Sequence, residues 1–150
     1  MTKKMISSLA MLTLVLVAAQ VSVHAQSSTK QAVNIPFQFV VGDQELAAGQ
    51  YDIDRITSGG MAIRIRDQKT ATAATRMTSP IVKTNAPSHG KLVFHRYGDT
   101  YFLAEVWRAG DSNGRLLVKS SGERAAERER ASVASINGGK YERVEIALAR

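Results

Sequence analysis

The chain has 150 residues, a formal net charge of +7 and no cysteine. That length allows one domain with a substantial core, and the missing thiols exclude disulfides and cysteine nucleophiles. The positive charge is moderate and mostly interleaved with acidic residues, unlike the clustered patch of a nucleic-acid binder, so no nucleic-acid partner is expected.

Met1-Thr2-Lys3-Lys4 opens the chain, an apolar run follows from Met5 to Ala19, and Val23-His24-Ala25 ends the segment. A basic start, a short apolar stretch and an A-x-A-like end are the three parts of a secretory signal. The run is shorter than the ~20 residues needed to cross a bilayer, so cleavage between Ala25 and Gln26 is expected rather than anchoring. The mature chain would be exported, periplasmic or extracellular, with no transmembrane segment. Its 125 residues carry 18 Lys and Arg against 13 Asp and Glu, a net charge of +5.

Gln26 to Gln31 reads as a flexible polar lead to a single domain over 26–150. Val33, Ile35, Phe37, Phe39 and Val41 alternate with polar residues, the period of a strand with one buried face. Pro36 cannot donate to a ladder, which places that strand at an edge, and Gly42-Asp43 closes it. Leu46 to Gly49 is a turn. Tyr51 and Ile53 point inward on a second strand, Thr57 to Gly60 is a loop, and Met61, Ile63 and Ile65 give the inward face of a third. Asp67-Gln68-Lys69 turns the chain into the Thr-rich segment Thr70–Met77, another strand, although a helix is also compatible with it. Ser79 to Gly90, with two prolines and no periodicity, reads as the longest loop.

Leu92 to Trp107 holds five of the nine Phe, Tyr and Trp residues. Two aromatic and β-branched runs flank Gly98-Asp99, the pattern of a tight β-hairpin whose turn needs positive φ. Arg108–Gly114 is a turn cluster, and Arg115–Lys119 a short strand. Ser120-Ser121 can cap a helix over Glu123–Ala131. Gly138-Gly139 breaks the chain before Val144, Ile146 and Leu148 alternate on a last strand. About seven strands with turns between them and one short helix predict an all-β domain, an antiparallel sandwich or a small barrel.

Two phrases carry a resemblance. Ile35-Pro36-Phe37-Gln38-Phe39-Val40-Val41-Gly42 with Leu46-Ala47-Ala48-Gly49-Gln50-Tyr51 is one. Phe94-His95-Arg96-Tyr97-Gly98-Asp99 with Tyr101-Phe102-Leu103 and Trp107 is the other. They resemble an uncharacterised family of small exported bacterial proteins with an IPFxFxxG…LxAGxY opening and an FHRYGxxYFLxxxW centre, over about Val33 to Arg130. The resemblance implies export and one small domain, and brings no activity and no catalytic residue.

Several residues could carry chemistry. His95 and Asp99 could form an oriented general base, but no Gly-x-Ser-x-Gly elbow accompanies them, and a paired surface or edge histidine is the favoured reading. His89 and His95 lack metal-ligand spacing, and Asp111-Ser112-Asn113-Gly114 lacks the later ligands of a calcium loop, so neither metal nor cofactor is expected. Asp52 and Asp54 share a strand face, as glycosidase carboxylates or as solvated charges. Arg64 and Arg66, with Lys69 nearby and Arg55 or Arg76 on a neighbouring strand, could bind anions. Tyr101 and Trp107 fall on one face of a regular strand and, if exposed, would be a stacking platform; a strand buried on both faces is the alternative. The Glu-Arg run over Glu123–Arg130 reads as a solvated helix. Three functions follow: a non-enzymatic binding or scaffold domain of the cell envelope, with an envelope protein or an anionic surface as partner; a small hydrolase using His95 with Asp99 or the pair Asp52 and Asp54; and an anion-binding module on Arg64 and Arg66.

Overall fold

In a computed structural model, which describes residues 30–56, 59–133 and 141–149, the chain is all-β with one helix. The expected signal segment, the lead up to residue 29, Thr57-Ser58 and the Gly138-Gly139 break lie outside the described residues. Ten strands occur among the described residues rather than about seven. They are β1 (Gln31–Ile35), β2 (Phe39–Val41), β3 (Gln44–Leu46), β4 (Gly49–Arg55), β5 (Ala62–Asp67), β6 (Ala73–Val82), β7 (Lys91–Tyr97), β8 (Thr100–Trp107), β9 (Asn113–Leu117) and β10 (Glu142–Ala147). The helix α1 spans Ser121–Val133.

The strands run in the order β1-β4-β5-β6-β9-β8-β2-β3, with β7 between β8 and β10. β6 joins two leaves. Its first half pairs with β5 through Ala62↔Met77, and its second half pairs with β9 through Thr78↔Leu117. The main core lies between the leaves. Val33, Ile35, Tyr51, Ile53, Ile63 and Ile65 meet Phe39, Val41, Leu92, Phe94, Leu103, Val106 and Leu117 there, all buried. The sheet is mixed, because β2 lies parallel to β8 at Val40↔Phe102, and it does not close into a barrel. After β10, Ala149 N–H donates to Ala32 O at 2.8 Å.

Three local expectations need correcting. The alternating stretch Val33–Val41 is two strands, since the chain leaves the first leaf at Pro36, which has no N–H to give a ladder, and enters the second at Phe39. The expected turn over Leu46–Gly49 is preceded by β3, which pairs with β2 across Gly42-Asp43, Gly42 having φ +67°. The expected loop Ser79–Gly90 is strand as far as Val82. Pro80 opposes Arg115 on the half of β6 that pairs with β9 alone, where a missing N–H costs no ladder bond.

The hairpin forms as read. Tyr97 pairs with Thr100 across Gly98-Asp99, with Gly98 at φ +62°. One feature of it was not legible: Val93 opposes Glu105, yet Phe94 opposes Leu103, so Ala104 is an extra residue in β8. A bulge of this kind reverses which side of the sheet each following side chain takes. Tyr101 and Leu103 therefore share the core side with Val106, while Glu105 and Trp107 leave on the other side.

Candidate functional site

The outer face of the second leaf, away from the main core, carries the polar side chains of the hairpin. Alternation along β7 sends Leu92 and Phe94 into the core, and His95 and Tyr97 outward beneath α1. The helix is started by Ser120, whose Oγ accepts from Glu123 N–H at 3.1 Å while its carbonyl accepts from Arg124 N–H. Glu123 stands at capping-box spacing, but its Oε1 lies 2.8 Å from His95 Nδ1 and 3.4 Å from Tyr97 OH. A carboxylate only accepts, so the ring N–H and the phenol both donate to it. The pair is dry, with side-chain exposures of 6% for His95 and 5% for Glu123. Tyr141 stacks on the imidazole with centroids 3.8 Å apart. Burial, and then the negative charge of Glu123, push the Tyr97 phenol well above its ordinary range.

Beside this pair runs a groove of about 290 Å³, lined by Ser79, His95, Ala104, Leu116, Leu117, Val118, Lys119 and Glu123. Its walls are mainly aliphatic. Val118 at its rim is 65% exposed. Thr78 pairs with Leu117, which sets Met77, 62% exposed, across from Val118. Lys119 Nζ is held by Glu127 at 2.8 Å. No hydrogen bond joins Ser79 to His95 among the described residues. The arrangement can accept an apolar group and present it with one imidazole edge and one hydroxyl.

A second polar cluster braces the same leaf. Arg143 grips Glu105 with a fork, Nη1 to Oε1 at 2.8 Å and Nη2 to Oε2 at 2.9 Å, and Trp107 Nε1–H donates to Oε2 at 2.6 Å. Burial pushes the Glu105 carboxyl up, but these donors outweigh it and hold the group below the usual carboxylate range. Lys83 Nζ sits 4.3 Å from the Trp107 ring centroid. On Gly114 a Cβ would come within 2.7 Å of the indole.

The residues singled out by sequence separate as follows. His95 is not paired with Asp99: the two-residue turn puts Asp99 in solvent, with Arg96 at 3.6 Å, while His95 turns under the helix. Trp107 is 1% exposed and therefore offers no open face for stacking. Tyr101 is half-buried on the opposite side, stacked on Phe37 at 4.0 Å. Arg64 and Arg66 share an outward face as expected, but both reach Asp54, at 3.0 and 3.9 Å, across the β4–β5 ladder. Asp52 and Asp54 also share that face. Asp52 binds Lys30 and Gln68, each at 2.8 Å, and these contacts overcome burial and hold its carboxyl low. Asp111 Oδ1 accepts from Asn113 N–H at 2.8 Å, a turn rather than a cation loop. His89 lies in a cleft of about 650 Å³ with Lys30 and Arg108. No group of three His, Asp or Glu able to hold a metal occurs among the described residues.

Sequence reasoning missed Glu123 and Arg143. The Ser120-x-x-Glu123 spacing marks a helix start, but nothing local says that the carboxylate would serve a histidine 28 positions away. No family model, curated protein or solved structure matches the chain.

Proposed function

We propose that the protein is an exported, non-enzymatic β-domain that binds a protein partner of the cell envelope through the groove beside α1. The observation that carries this reading is the apolar rim: Val118 and Met77 stand in solvent next to a groove walled by Ala104, Leu116 and Leu117. Exposed apolar surface adjoining a recess is the usual mark of a contact site, and a recess of this size suits a single anchoring side chain from a partner. His95 is fixed at the wall of the groove by Glu123 at Nδ1 and by the stacked Tyr141 ring.

The test is a thermal-melt screen against peptides that each present one aromatic or aliphatic anchor. A ligand that binds only the folded state raises the melting temperature by mass action. A rise that Val118→Glu abolishes supports the groove, since a substitution at so exposed a position leaves the fold intact. A flat screen, or a rise indifferent to Val118→Glu, refutes it. Export is tested separately by the N-terminus of the protein recovered outside the cytoplasm. Gln26 is expected there, and an uncut Met1 would overturn that part.

A further inference from the structure

Where β4 ends, two arginines, Arg55 and Arg115, flank the Gly59-Gly60 turn. Gly60, at φ +62°, is flanked on both sides: a Cβ there would lie 3.1 Å from Arg115 Nε and 3.2 Å from Arg55 Cδ. Arg115 Nη2 donates to the carbonyl of Gly59. Burial, and then the charges of Arg108 and Arg115, push the Arg55 guanidinium below its ordinary range. Asp111 is the only carboxylate within ion-pair distance of Arg55 among the described residues, and its Oδ2 stands 3.9 Å from Nη2, too far for a hydrogen bond. Its other oxygen is occupied by Asn113.

Two donors of this cluster, Arg55 Nη2 and Arg115 Nε, are buried and make no hydrogen bond. A buried donor without an acceptor costs free energy, more so on a charged group. Arg55 and Arg115, side by side at the turn, add repulsion. Both defects are relieved by one kind of ligand, an anion with several acceptor oxygens. Arginine forks match such oxyanions in geometry as well as charge. Arg64 Nε and Arg66 Nε are likewise buried without a hydrogen bond, but Arg64 Nη2 is held by Asp54 at 3.0 Å, a contact of a kind that Arg55 does not make with Asp111.

We propose that Arg55 and Arg115 form a binding site for a tetrahedral oxyanion of the phosphate or sulfate type. The site is independent of the groove, since Arg115 and Leu116 leave β9 on opposite faces.

The experiment compares melting temperature and titration calorimetry in sodium phosphate, sodium sulfate and sodium chloride at matched ionic strength. Phosphate and sulfate should raise the melting temperature by several degrees beyond chloride. Arg55→Gln should weaken phosphate binding at least tenfold, while its own melting temperature in low salt stays level or rises as repulsion is removed. Arg64→Gln should keep the full phosphate effect. Arg55→Lys keeps the charge without the fork; it should fold and bind phosphate more weakly than wild type, which tests the site should the glutamine variant fail to fold. Vesicles of phosphatidylcholine with and without phosphatidylglycerol separate the sources. Arg55-dependent sedimentation with the anionic vesicles assigns the oxyanion to a lipid headgroup, and phosphate binding without it assigns a free ion. Equal stability in phosphate and chloride, or an undiminished phosphate effect in Arg55→Gln, would overturn the proposal.

Discussion

Glu123 is the carboxylate that ties α1 to the sheet, and Glu123→Ala measures that tie. The substitution removes a charged acceptor from His95 Nδ1 at 2.8 Å and a longer one from Tyr97 OH at 3.4 Å. A hydrogen bond to a charged group contributes roughly 1.5–3 kcal/mol, and a donor left buried without a partner costs a similar amount. Loss of an acid in the first helical turn adds about 0.3–1 kcal/mol. These terms overlap, because the imidazole can rotate and water can enter from the groove, so a net cost of about 3 kcal/mol is expected. For a domain of this size that corresponds to a fall in melting temperature of roughly 10–15 °C. Glu123→Gln keeps an amide oxygen for the imidazole and should cost about 1 kcal/mol. Urea melts followed by tryptophan fluorescence and by helical circular dichroism give both values, and the Glu129→Ala variant on the exposed side of the helix serves as control. A double-mutant cycle with His95→Phe should show coupling of more than about 1 kcal/mol. If Glu123→Ala costs no more than the Glu129→Ala control, the helix does not dock through this carboxylate.

Five further outcomes follow from the packing. Gly114→Ala drives a methyl to 2.7 Å from the buried Trp107 ring, so it should cost about 1–3 kcal/mol and shift the tryptophan emission. Gly98→Ala meets nothing within 4 Å and carries only its positive φ, so it should cost about 1–2 kcal/mol with the emission unchanged. Ala71 sits at φ 59°, and Ala71→Gly should therefore stabilise the protein by up to about 1 kcal/mol in a chemical melt. Two pH limits are expected in melts across the pH range. Glu105, held low in the fold, contributes stability that is complete above the unfolded carboxylate value of about 4.3 and is lost as pH falls through its folded value. Glu105→Gln should consequently be less stable at neutral pH but show a shallower acid loss. Tyr97 has the opposite sign: its phenol is raised, so stability is complete below about pH 10 and declines above it. Tyr97→Phe should flatten that alkaline decline, and an unchanged slope would refute the assignment.

What could be read from the chain depended on the range of the interaction. The Gly98-Asp99 hairpin, the Ser120 cap and the inward faces of Tyr51, Ile53, Ile63 and Ile65 are set by neighbouring residues, and all are present in the fold. Pro36 and Pro80 show the limit of local signals. The same missing N–H breaks a strand where the chain must change leaf and is tolerated where only one side of the strand is paired. The Ala104 bulge had no local mark, and it moved Tyr101 and Trp107 to opposite faces of a strand whose composition suggested a single platform. The partner of His95 was chosen at long range. Asp99, four residues away, is directed into solvent by the turn, whereas Glu123 arrives with a helix whose sequence reads as solvated throughout.

The same distinction governs the charge. Composition gives a basic chain, but not where a cation lacks an answering anion. On the β4–β5 ladder, antiparallel register sets Asp54 opposite Arg64 and Asp52 opposite Arg66, and cross-strand pairs of opposite sign stabilise that surface without a ligand. Arg55 follows Asp54 by one position and so leaves the ladder on the other face, opposite Ile63. There its charged neighbours are Arg115 from β9, and Arg108 and Asp111 from the turn after β8. Positive charge therefore also gathers away from the evident outward stripe of Arg64 and Arg66, where Arg55 and Arg115 flank Gly60. An anion-binding function of this chain should follow Arg55 in mutagenesis and be indifferent to Arg64.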